Sequence, residues 1–421
     1  MKTETVRGKR GRIMHPFLVC AILLSFLGVA AAPAPRAEGQ CEPDGQQASG
    51  AIYRICVPAD GEWNGDLVVY AHGYVAFDEP IAIPDDQLSI PGGPSIPEIV
   101  NGLGFAFVTT SYSVNGLAVK EGTADLLDLV EIFSAAHDRP DHVYLVGPSE
   151  GGLITALGVE QHSSIFDGGL STCGPVGDFR RQINYWGDVR VLFDYFFPGV
   201  IPGSPVEIPQ EVIENWDTIY QELVEGALRA DPDATTRLLT VARVPADPTD
   251  SDSGIDALVQ LLWYNVFATN DGAAKLGGQP YDNTRRIYFG SGSDWHLNRN
   301  VARFQAEPAA LAEMEAHYQT SGDLSVPLVT LHTLGDPIVP YWHEPLYRQK
   351  IIANDDGPLH TNIPALRHGH CNFTASQVLV AFAVLVYQVT GDVLQDADQV
   401  LPDEQSRAEY QELVGVYGLL R

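Results

Sequence analysis

Val143-Tyr144-Leu145-Val146-Gly147-Pro148-Ser149-Glu150-Gly151-Gly152 is the stretch that decides the fold. Its first four residues predict a buried strand, and a helix-like segment, 153–160, follows the two glycines directly. A strand that turns sharply into a helix strains the residue at the apex, and small flanking residues allow the close packing that such a turn needs. The pattern therefore predicts Ser149 at the exposed apex, above the positive end of a helix. The alternative is an ordinary glycine-rich turn.

An activated serine needs two partners farther along the chain. A histidine must accept its proton, and a carboxylate must orient that histidine. On doubly wound sheets the order along the chain is serine, acid, histidine. The apolar segment 328–332 predicts a strand, and the Gly335-Asp336-Pro337 turn follows it, which makes Asp336 the candidate acid. Asp323 and Glu344 are weaker candidates because neither comes directly after a strand, and Asp336 could also be an ordinary turn aspartate.

The candidate base lies on the loop after the last predicted strand. That loop contains His368 and His370, and we favour His370 because Gly369 frees its approach and Cys371 could hold it in place. The two histidines could instead be metal ligands. The sequence has no His-Glu-x-x-His motif and no third ligand cluster, so we predict no metal site.

Backbone amides that could bind an oxyanion are predicted from two segments. The strand predicted at 66–71 ends in His72-Gly73-Tyr74, where such sheets offer a first amide, and the residue after the nucleophile offers the second. We assign these donors to Tyr74, with an uncertainty of one residue, and to Glu150. The alternative for His72-Gly73 is a simple turn at the end of a strand.

The first residues and the overall charge predict an exported protein. Five basic residues precede an apolar run at 17–32, which predicts a signal peptide over residues 1–32 and a secreted or periplasmic location. The alternative, a membrane anchor, would need a longer apolar run, so we expect no stable membrane insertion. Removing residues 1–32, which hold five basic residues and one acidic residue, changes the formal charge from −29 to −33. So acidic a chain is a poor partner for nucleic acid.

Cysteines support the same location. Cys41, Cys56, Cys173 and Cys371 follow the predicted signal peptide, and an even number in an exported chain indicates two disulfides. Three pairings are possible. We favour Cys41 with Cys56, closing a short hairpin, and Cys173 with Cys371, tying the loop after a central strand to the loop that carries His370.

Short apolar runs alternate with helical patterns outside one central segment, which predicts an α/β fold with a doubly wound, mostly parallel sheet. Strands are predicted at 51–57, 66–71, 105–111, 143–146, 168–171, 328–332 and 362–366. Helices are predicted at 96–103, 123–136, 150–161 and 376–389. Residues 33–173 and 324–421 would form the core.

The central segment, 174–323, interrupts this alternation. It shows helical stretches at 209–226, 234–244, 255–267 and 308–319 and no strand of the main pattern, which predicts a mostly helical cap inserted into the core. Six aromatic residues between Tyr185 and Phe197 could line a pocket above Ser149 or form the core of the cap itself. Arg180 and Arg181 could bind a substrate carboxylate, although a solvated surface position is the simpler interpretation.

These motifs together resemble those of the α/β-hydrolase superfamily: His72-Gly73, Gly147-Pro148-Ser149-Glu150-Gly151, Gly335-Asp336-Pro337 and Gly369-His370-Cys371. The resemblance covers the chain apart from the signal peptide and the insertion. His370-Cys371 is similar to secreted tannases and feruloyl esterases, in which a cysteine beside the serine bonds a cysteine beside the histidine. Pro148 occupies that serine-side position here, so that particular bridge is absent. Asp336-x-x-Val339-Pro340 is also similar to prolyl-oligopeptidase-like enzymes, without their propeller domain.

The resemblance and the motifs predict a secreted serine esterase. It would cleave carboxylic esters through Ser149, His370 and Asp336, with an acyl-enzyme intermediate and without metal or organic cofactor. Its partner would be a small-molecule or polymeric ester, and its oligomeric state is left open. Two alternatives remain: a serine exopeptidase on the same fold, and a binding protein that keeps the fold without turnover.

Overall fold

The computed structural model of the chain describes residues 40–59, 61–89 and 94–418. The predicted signal peptide, 1–32, lies outside these residues. No helix within the described ranges has both the length and the apolar character needed to cross a bilayer.

One sheet organises the described residues. Its strands are β1 Gln40–Cys41, β2 Gly45–Gln46, β3 Ile52–Val57, β4 Leu67–Tyr70, β5 Ala106–Thr110, β6 Val143–Pro148, β7 Gly168–Thr172, β8 Leu328–Gly335 and β9 His360–His368. Their order across the sheet is β1-β3-β5-β4-β6-β7-β8-β9, with β2 paired to β3. Strands β4 to β9 are parallel to their neighbours, whereas β3 runs antiparallel to β5. The predicted mostly parallel α/β sheet is therefore confirmed.

Helices connect and cover the strands. They are α1 Ile96–Gly102, α2 Val119–Ala136, α3 Glu150–Gln161, α4 Phe179–Phe196, α5 Gln210–Glu214, α6 Gln221–Ala230, α7 Pro232–Ala242, α8 Ser253–Lys275, α9 Asp294–Asn300, α10 Pro308–His317, α11 His343–Ala353, α12 Ala375–Thr390 and α13 Glu404–Val416. A π-helical turn, Trp216–Tyr220, leads into α6.

Both faces of the sheet are buried, as the apolar strands predicted. On β4, Leu67 and Val69 belong to one hydrophobic cluster together with residues of α2, α3 and α11, whereas Val68 and Tyr70, on the opposite face, belong to a second cluster with residues of α1, α12 and α13. Successive side chains of a strand point to opposite faces, so a strand covered on both sides is mostly apolar. This explains why all seven predicted strands overlap observed ones, β3 to β9.

Some helices escaped the sequence analysis. The four predicted outside the cap correspond to α1, α2, α3 and α12, whereas α4, α9, α11 and α13 were not predicted. Helix α11 shows the reason, since the residues it buries include His343 and Glu344 beside Tyr347 and Ile351. Polar residues that are buried through specific partners hide the apolar periodicity on which helix prediction depends.

Residues 174–323 lie between β7 and β8, and no strand of the sheet occurs among them; the structure describes this segment in full. It contains α4 to α10, and apolar side chains of α4 to α9 form a separate hydrophobic cluster, whereas Ala310 and Met314 of α10 belong to a cluster of the sheet. The cluster also includes Ala76, Ile338 and Val339, which belong to loops at the carboxyl ends of β4 and β8. The segment predicted as a cap therefore packs against the loops that surround Ser149.

Both favoured disulfide pairings are present. Cys41–Cys56 joins β1 to β3, and Cys173–Cys371 joins the residue after β7 to the loop that follows β9. The second bond closes a loop across 198 residues of sequence, including the whole segment 174–323.

Candidate active site

The turn between β6 and α3 has the strained geometry that its sequence indicated. Ser149 has φ 55° and ψ −119°, in a region that residues with a side chain rarely occupy. Its backbone N–H donates to the Thr172 carbonyl at 2.8 Å, and its own carbonyl accepts from Gly152 N–H at 3.0 Å. These bonds, from the neighbouring strand and from the helix, hold the strained residue at the carboxyl edge of the sheet.

The flanking glycines are required by close approach of backbone segments. A Cβ atom at Gly147 would lie 2.5 Å from the Gly151 carbonyl oxygen, and one at Gly151 would lie 2.0 Å from the Ala71 carbonyl oxygen. Both distances are far below van der Waals contact, and the obstructing atoms are backbone atoms that cannot move aside. The strand-to-helix turn therefore excludes a side chain two residues before and two residues after Ser149, at Gly147 and Gly151.

The structure brings Ser149, His370 and Asp336 together in one hydrogen-bonded chain. His370 Nε2 lies 2.9 Å from Ser149 Oγ, and His370 Nδ1 lies 2.8 Å from Asp336 Oδ2. The three side chains come from the ends of β6, β8 and β9, which are at the same edge of the sheet because these strands are parallel. Such an arrangement can activate a serine hydroxyl, because the imidazole can take its proton while the carboxylate stabilises the resulting charge.

The alternative candidates lie elsewhere. His368 is 41% exposed and its Nδ1 lies 3.7 Å from an Asp247 carboxylate oxygen, on the far side of the loop. Asp323 is exposed and lies in a turn with Ser321. Glu344 is buried behind Asp336 and contacts His332 rather than His370.

Asp336 is completely buried and fully hydrogen-bonded. Oδ1 accepts the backbone N–H groups of Ile338 at 2.8 Å and Val339 at 2.9 Å, while Oδ2 faces His370. Burial by itself would raise the pKa of this carboxyl, but the charge of the His370 ring and the neighbouring His332 ring outweigh it and lower the pKa to about 2. Asp336 is therefore an anion throughout the neutral range.

The disulfide next to His370 restricts the loop that carries it. Cys371 has φ 50° and Cys173 has φ 47°, and Cys371 Sγ lies 3.6 Å from His370 Nε2. Among the described residues, these three side chains form the one cluster with the composition and spacing of a metal site. Because the two sulfur atoms are bonded to each other, neither is a thiolate that could ligate a metal.

The backbone amides of Tyr74 and Glu150 are the two predicted oxyanion donors. Gly73 lies against Ser149, since a Cβ built on it would be 3.5 Å from Ser149 Cβ. Its own N–H is used, donating to Gln87 Oε1 at 2.7 Å. Within the described part of the chain, neither the Tyr74 amide nor the Glu150 amide donates to a protein acceptor.

Gln87 is a residue of this site that the sequence analysis missed. Besides accepting from Gly73, it donates from Nε2 to the Tyr74 carbonyl at 3.2 Å, so one side chain holds both residues of the loop after β4. The glutamine lies in a short 3₁₀ helix, Asp85–Leu88, with no motif around it. Only the folded chain places it beside the serine.

The side chain of Glu150 is buried next to the turn. Oε1 accepts the Ala118 backbone N–H at 2.9 Å, at the start of α2. Burial raises the pKa of this carboxyl to about 8, although the Ala118 hydrogen bond and the charge of Lys275 oppose the increase.

A pocket opens between Ser149 and the segment 174–323. Its walls are mainly apolar and aromatic, and the aromatic members are Tyr74, Phe179, Trp186, Tyr264 and Tyr281. Trp186 stacks on Tyr264 with ring centroids 4.8 Å apart. The pocket is thus suited to an apolar group attached to the carbon that Ser149 would attack.

Of the six aromatic residues between Tyr185 and Phe197, some line the pocket and others form the core of the segment 174–323. Trp186 lines the pocket, whereas Tyr185, Phe193 and Phe197 are buried in the separate cluster. Arg180 and Arg181 are exposed, and Arg181 lies over the Trp342 ring, so the surface interpretation of both arginines is confirmed.

Helix α4 is attached to the loop that carries Asp336. The side chains of Gln182 and Trp186 both donate to the Ile338 carbonyl, at 2.7 and 3.0 Å, and Tyr185 OH donates to the Pro337 carbonyl at 2.7 Å. The sequence analysis missed this connection because it joins residues more than 150 positions apart. One wall of the pocket and the acid of the hydrogen-bonded chain are therefore fixed to each other.

Comparisons with known proteins give remote similarities. No protein-family profile matches the chain. A curated relative, the o-phthalyl amidase of Xanthobacter agilis, is 35% identical over 194 residues, covering 44% of this chain and 40% of the relative. The chain thus corresponds to less than half of that protein's length.

Solved structures with a similar arrangement include peptidases and esterases. An acylaminoacyl peptidase of Pyrococcus horikoshii is 12% identical over 88% of this chain and 45% of its own, with a TM-score of 0.41. An esterase of Aspergillus oryzae is 13% identical over 82% and 78%, with a TM-score of 0.44. An esterase of Pyrococcus furiosus is 10% identical over 90% of each chain, with a TM-score of 0.40. By its own sheet order and its turn from β6 through Ser149 into α3, the chain has the α/β-hydrolase fold.

Proposed function

We propose that this protein is a serine hydrolase that cleaves carboxylic esters. The observation that carries the proposal is the unbroken hydrogen-bonded chain Ser149 Oγ–His370 Nε2 at 2.9 Å and His370 Nδ1–Asp336 Oδ2 at 2.8 Å. Both distances are within the range that proton transfer and imidazole orientation require. Ser149 would be the nucleophile, His370 the general base and acid, and Asp336 the residue that orients and stabilises the imidazole.

The reaction would proceed in two halves. Ser149 Oγ attacks the ester carbonyl carbon while His370 Nε2 takes its proton, and the carbonyl oxygen becomes an oxyanion held by the Tyr74 and Glu150 amides. His370 then protonates the departing alcohol, leaving an acyl group on Ser149. A water molecule activated by His370 hydrolyses this acyl-enzyme by the same steps. The side chains carry each step, so the proposal includes no metal or organic cofactor.

The pocket supports an apolar, preferably aromatic, acyl group. Its floor and walls place Trp186, Tyr264 and Tyr74 around the space next to Ser149. Aromatic walls bind a flat ring through apolar contact and edge or face packing, which a short acetyl group cannot use. We therefore propose aromatic esters as better substrates than acetate esters.

Export is part of the proposal. The basic and apolar pattern of residues 1–32 and the two disulfides both fit a chain that folds outside the cytoplasm. We therefore propose a secreted or periplasmic location.

Amide hydrolysis is the second candidate, including the exopeptidase alternative. The observation that favours it is the 35% identity to an o-phthalyl amidase. The same three side chains could cleave an amide, since His370 would then protonate a departing amine. Matched ester and anilide substrates with one shared acyl group separate the two: an esterase turns over only the ester efficiently, whereas an amidase or peptidase also turns over the anilide.

Replacement of the serine gives the decisive test. Ser149→Ala should lower p-nitrophenyl ester hydrolysis by about 10⁴-fold or more, because the nucleophile is absent while the fold is retained. Hydrolysis rate, circular dichroism and labelling by a fluorophosphonate probe are the measurements. The native protein should be labelled at Ser149 and the variant should not. If the native protein is neither labelled nor active, the result supports the non-catalytic binding protein. If the variant keeps full activity, Ser149 is not the nucleophile.

The acid can be tested against its rival. Asp336→Asn should lower kcat by about 10⁴-fold because the asparagine can hold the imidazole in the wrong tautomer. Asp323→Asn is the matched control, an exposed aspartate just ahead of the same strand, and should leave kcat unchanged. Steady-state kinetics on both variants is the measurement, and equal losses would contradict the assignment.

A further inference from the structure

A second histidine, His332, lies directly behind the acid of the proposed triad. It belongs to β8, four residues before Asp336, and its side chain has no exposed surface. His332 Nε2 lies 3.6 Å from Asp336 Oδ2, the same oxygen that faces His370 Nδ1. The Asp336 carboxylate thus lies between two imidazole rings, one toward Ser149 and one toward the interior.

Both ring nitrogens of His332 face acceptors. Nε2 lies 2.7 Å from the Val339 carbonyl oxygen, and Nδ1 lies 3.1 Å from Glu344 Oε1. A carbonyl oxygen can only accept, so Nε2 carries a proton. If Glu344 is an anion, Nδ1 must carry a proton as well, and the ring is a cation.

The surroundings of Glu344 indicate that it is an anion. Its Oε2 accepts from Thr330 Oγ1 at 2.6 Å and from Asn362 Nδ2 at 2.7 Å. The orientation of the Asn362 amide is defined, because its Oδ1 accepts from Tyr341 OH at 2.8 Å. An ionised Glu344 can accept both of these donors on Oε2 while its other oxygen, Oε1, faces His332 Nδ1.

We propose that His332 is a permanently protonated positioning residue that sets the charge of the Asp336–His370 pair. The inference rests on the proposed function, in which His370 is the base. A buried cation at this place neutralises one of the two buried carboxylates, Asp336 and Glu344. Asp336, Glu344 and His332 together then have a net charge of −1 toward His370. This charge matches the single positive charge that His370 gains during the reaction.

The energetic balance supports this state of the ring. Burial by itself would lower the pKa of His332, but the contacts with Asp336 and Glu344 outweigh burial and raise the pKa to about 10. Without a cation at this position, a second uncompensated buried anion would favour the protonated form of the imidazole that faces Asp336, which opposes its role as a base. His332 thereby keeps His370 able to accept a proton while leaving Asp336 in place to orient it.

The other titratable groups around His332 do not supply this charge. Tyr341 packs edge-on against the ring with its phenol bonded to Asn362. Burial lowers the pKa of His343 well below its usual value, and its Nδ1 accepts the Gly177 N–H. Burial also lowers the pKa of His360, which reaches Thr330 at 3.2 Å. Both of these histidines are neutral near pH 7, so the cation facing Asp336 from the interior is His332.

The charge is measured directly by NMR on the complete native protein. Nitrogen-15 spectra of the histidine rings, with His332 assigned by its loss in His332→Gln, should show both His332 nitrogens protonated from pH 6 to pH 9. Release of a proton from His332 near pH 7, or a single ring N–H at neutral pH, overturns the proposal. This measurement does not depend on activity, so it stands even if Ser149 is never labelled and the proposed function fails.

The effect on the base is measured by the pH profile of kcat/KM. In His332→Gln the buried group would have a charge of −2, so protonation of His370 becomes easier and the acidic limb should move to higher pH by about one unit. Tyr341→Phe is the control, because it disturbs the same packing without changing charge, and its limb should not move. In His332→Gln, a native-like circular dichroism spectrum together with an unmoved acidic limb overturns the proposal. If that variant does not fold, the nitrogen-15 spectrum of the native protein decides, with the His332 ring assigned through its correlations to the assigned backbone.

Discussion

The turn at Ser149 and the segment 174–323 face each other across the same pocket, and they are built in opposite ways. The turn depends on single atoms: a Cβ at Gly151 would lie 2.0 Å from a backbone oxygen. The inserted segment depends on bulk burial, with helices α4 to α8 sharing one apolar cluster. In α6, a Cβ at Gly226 would meet nothing within 4 Å.

The difference explains why the two regions are unequally visible in sequence. A strained turn tolerates few residue types at fixed spacing, so it leaves a short motif. A packed helical cluster tolerates many apolar residues of similar volume, so it leaves only a diffuse pattern. The residues of the turn around Ser149 are therefore easier to recognise in the sequence than the residues that shape the pocket.

A pair of glycine substitutions would test this contrast most strongly. Gly151→Ala should cost more than about 3 kcal/mol of stability or prevent folding, because the new methyl group collides with the Ala71 carbonyl. Gly226→Ala, in open space within α6, should instead add about 0.5–1 kcal/mol through helix propensity. Urea unfolding of both variants measures the difference. Similar small effects at both positions would show that the turn relaxes and that the contrast is wrong.

Buried acids sharpen the comparison. Glu150 beside the turn has a pKa raised to about 8 from 4.5, so the folded state keeps a proton that the unfolded chain releases. The destabilisation of the folded state that comes from ionising Glu150 is therefore absent below pH 4.5, grows as the pH rises toward 8 and is constant above pH 8. Glu150→Gln removes it and should therefore be more stable than the native protein by on the order of 2 kcal/mol at pH 8.5, with little difference at pH 4.5.

Asp188 is the matched acid in the inserted segment. It accepts the hydroxyl groups of Tyr281 and Tyr288 at 2.9 and 2.7 Å and pairs with Arg286 at 2.6 Å. Burial raises the pKa of Asp188 in spite of these partners, but Asp188→Asn would leave the Arg286 guanidinium without its carboxylate, so it should lower stability at pH 8.5, the opposite sign. Urea unfolding of both variants at the two pH values is the measurement, and a gain for both would mean that burial alone governs these acids.

The smallest effect concerns the pocket wall. Trp186→Ala should lower kcat/KM for an aromatic ester by about tenfold, since the ring stacked on Tyr264 is lost, and should change acetate ester hydrolysis less. Tyr195→Ala, on the same helix but away from the pocket, is the control and should leave the ratio of the two substrates unchanged. An unchanged ratio in Trp186→Ala would place the acyl group elsewhere.

Much of the sheet and the candidate site was predictable for a physical reason. Strands such as β4 are buried on both faces, so their apolar runs stand out, and β6 adds the strained serine turn that follows it. Asp336 and His370 were found because parallel strands bring their carboxyl ends to one edge of the sheet. The loops after β8 and β9 therefore lie at the same edge as the end of β6.

Other residues could not be found in this way. Gln87 holds the loop after β4 through two side-chain bonds, with nothing in its neighbourhood to mark it. His332 was visible as a strand residue, but its place between Asp336 and Glu344 depends on how the loop after β8 returns against α11. Helix α4 was hidden because its polar residues are used in contacts with Ile338 and Pro337.

Sequence alone determined the α/β class, the strand-to-helix turn and the identity of the serine, acid and histidine candidates, because local backbone strain and two-sided burial restrict which residues can occur. Tertiary structure decided the shape of the pocket, the attachment of α4 to the acid loop and the position of His332 between two buried carboxyl groups. These features arise from contacts between positions distant along the chain, where a hydrogen bond or an ion pair depends on three-dimensional proximity and leaves no periodic signal.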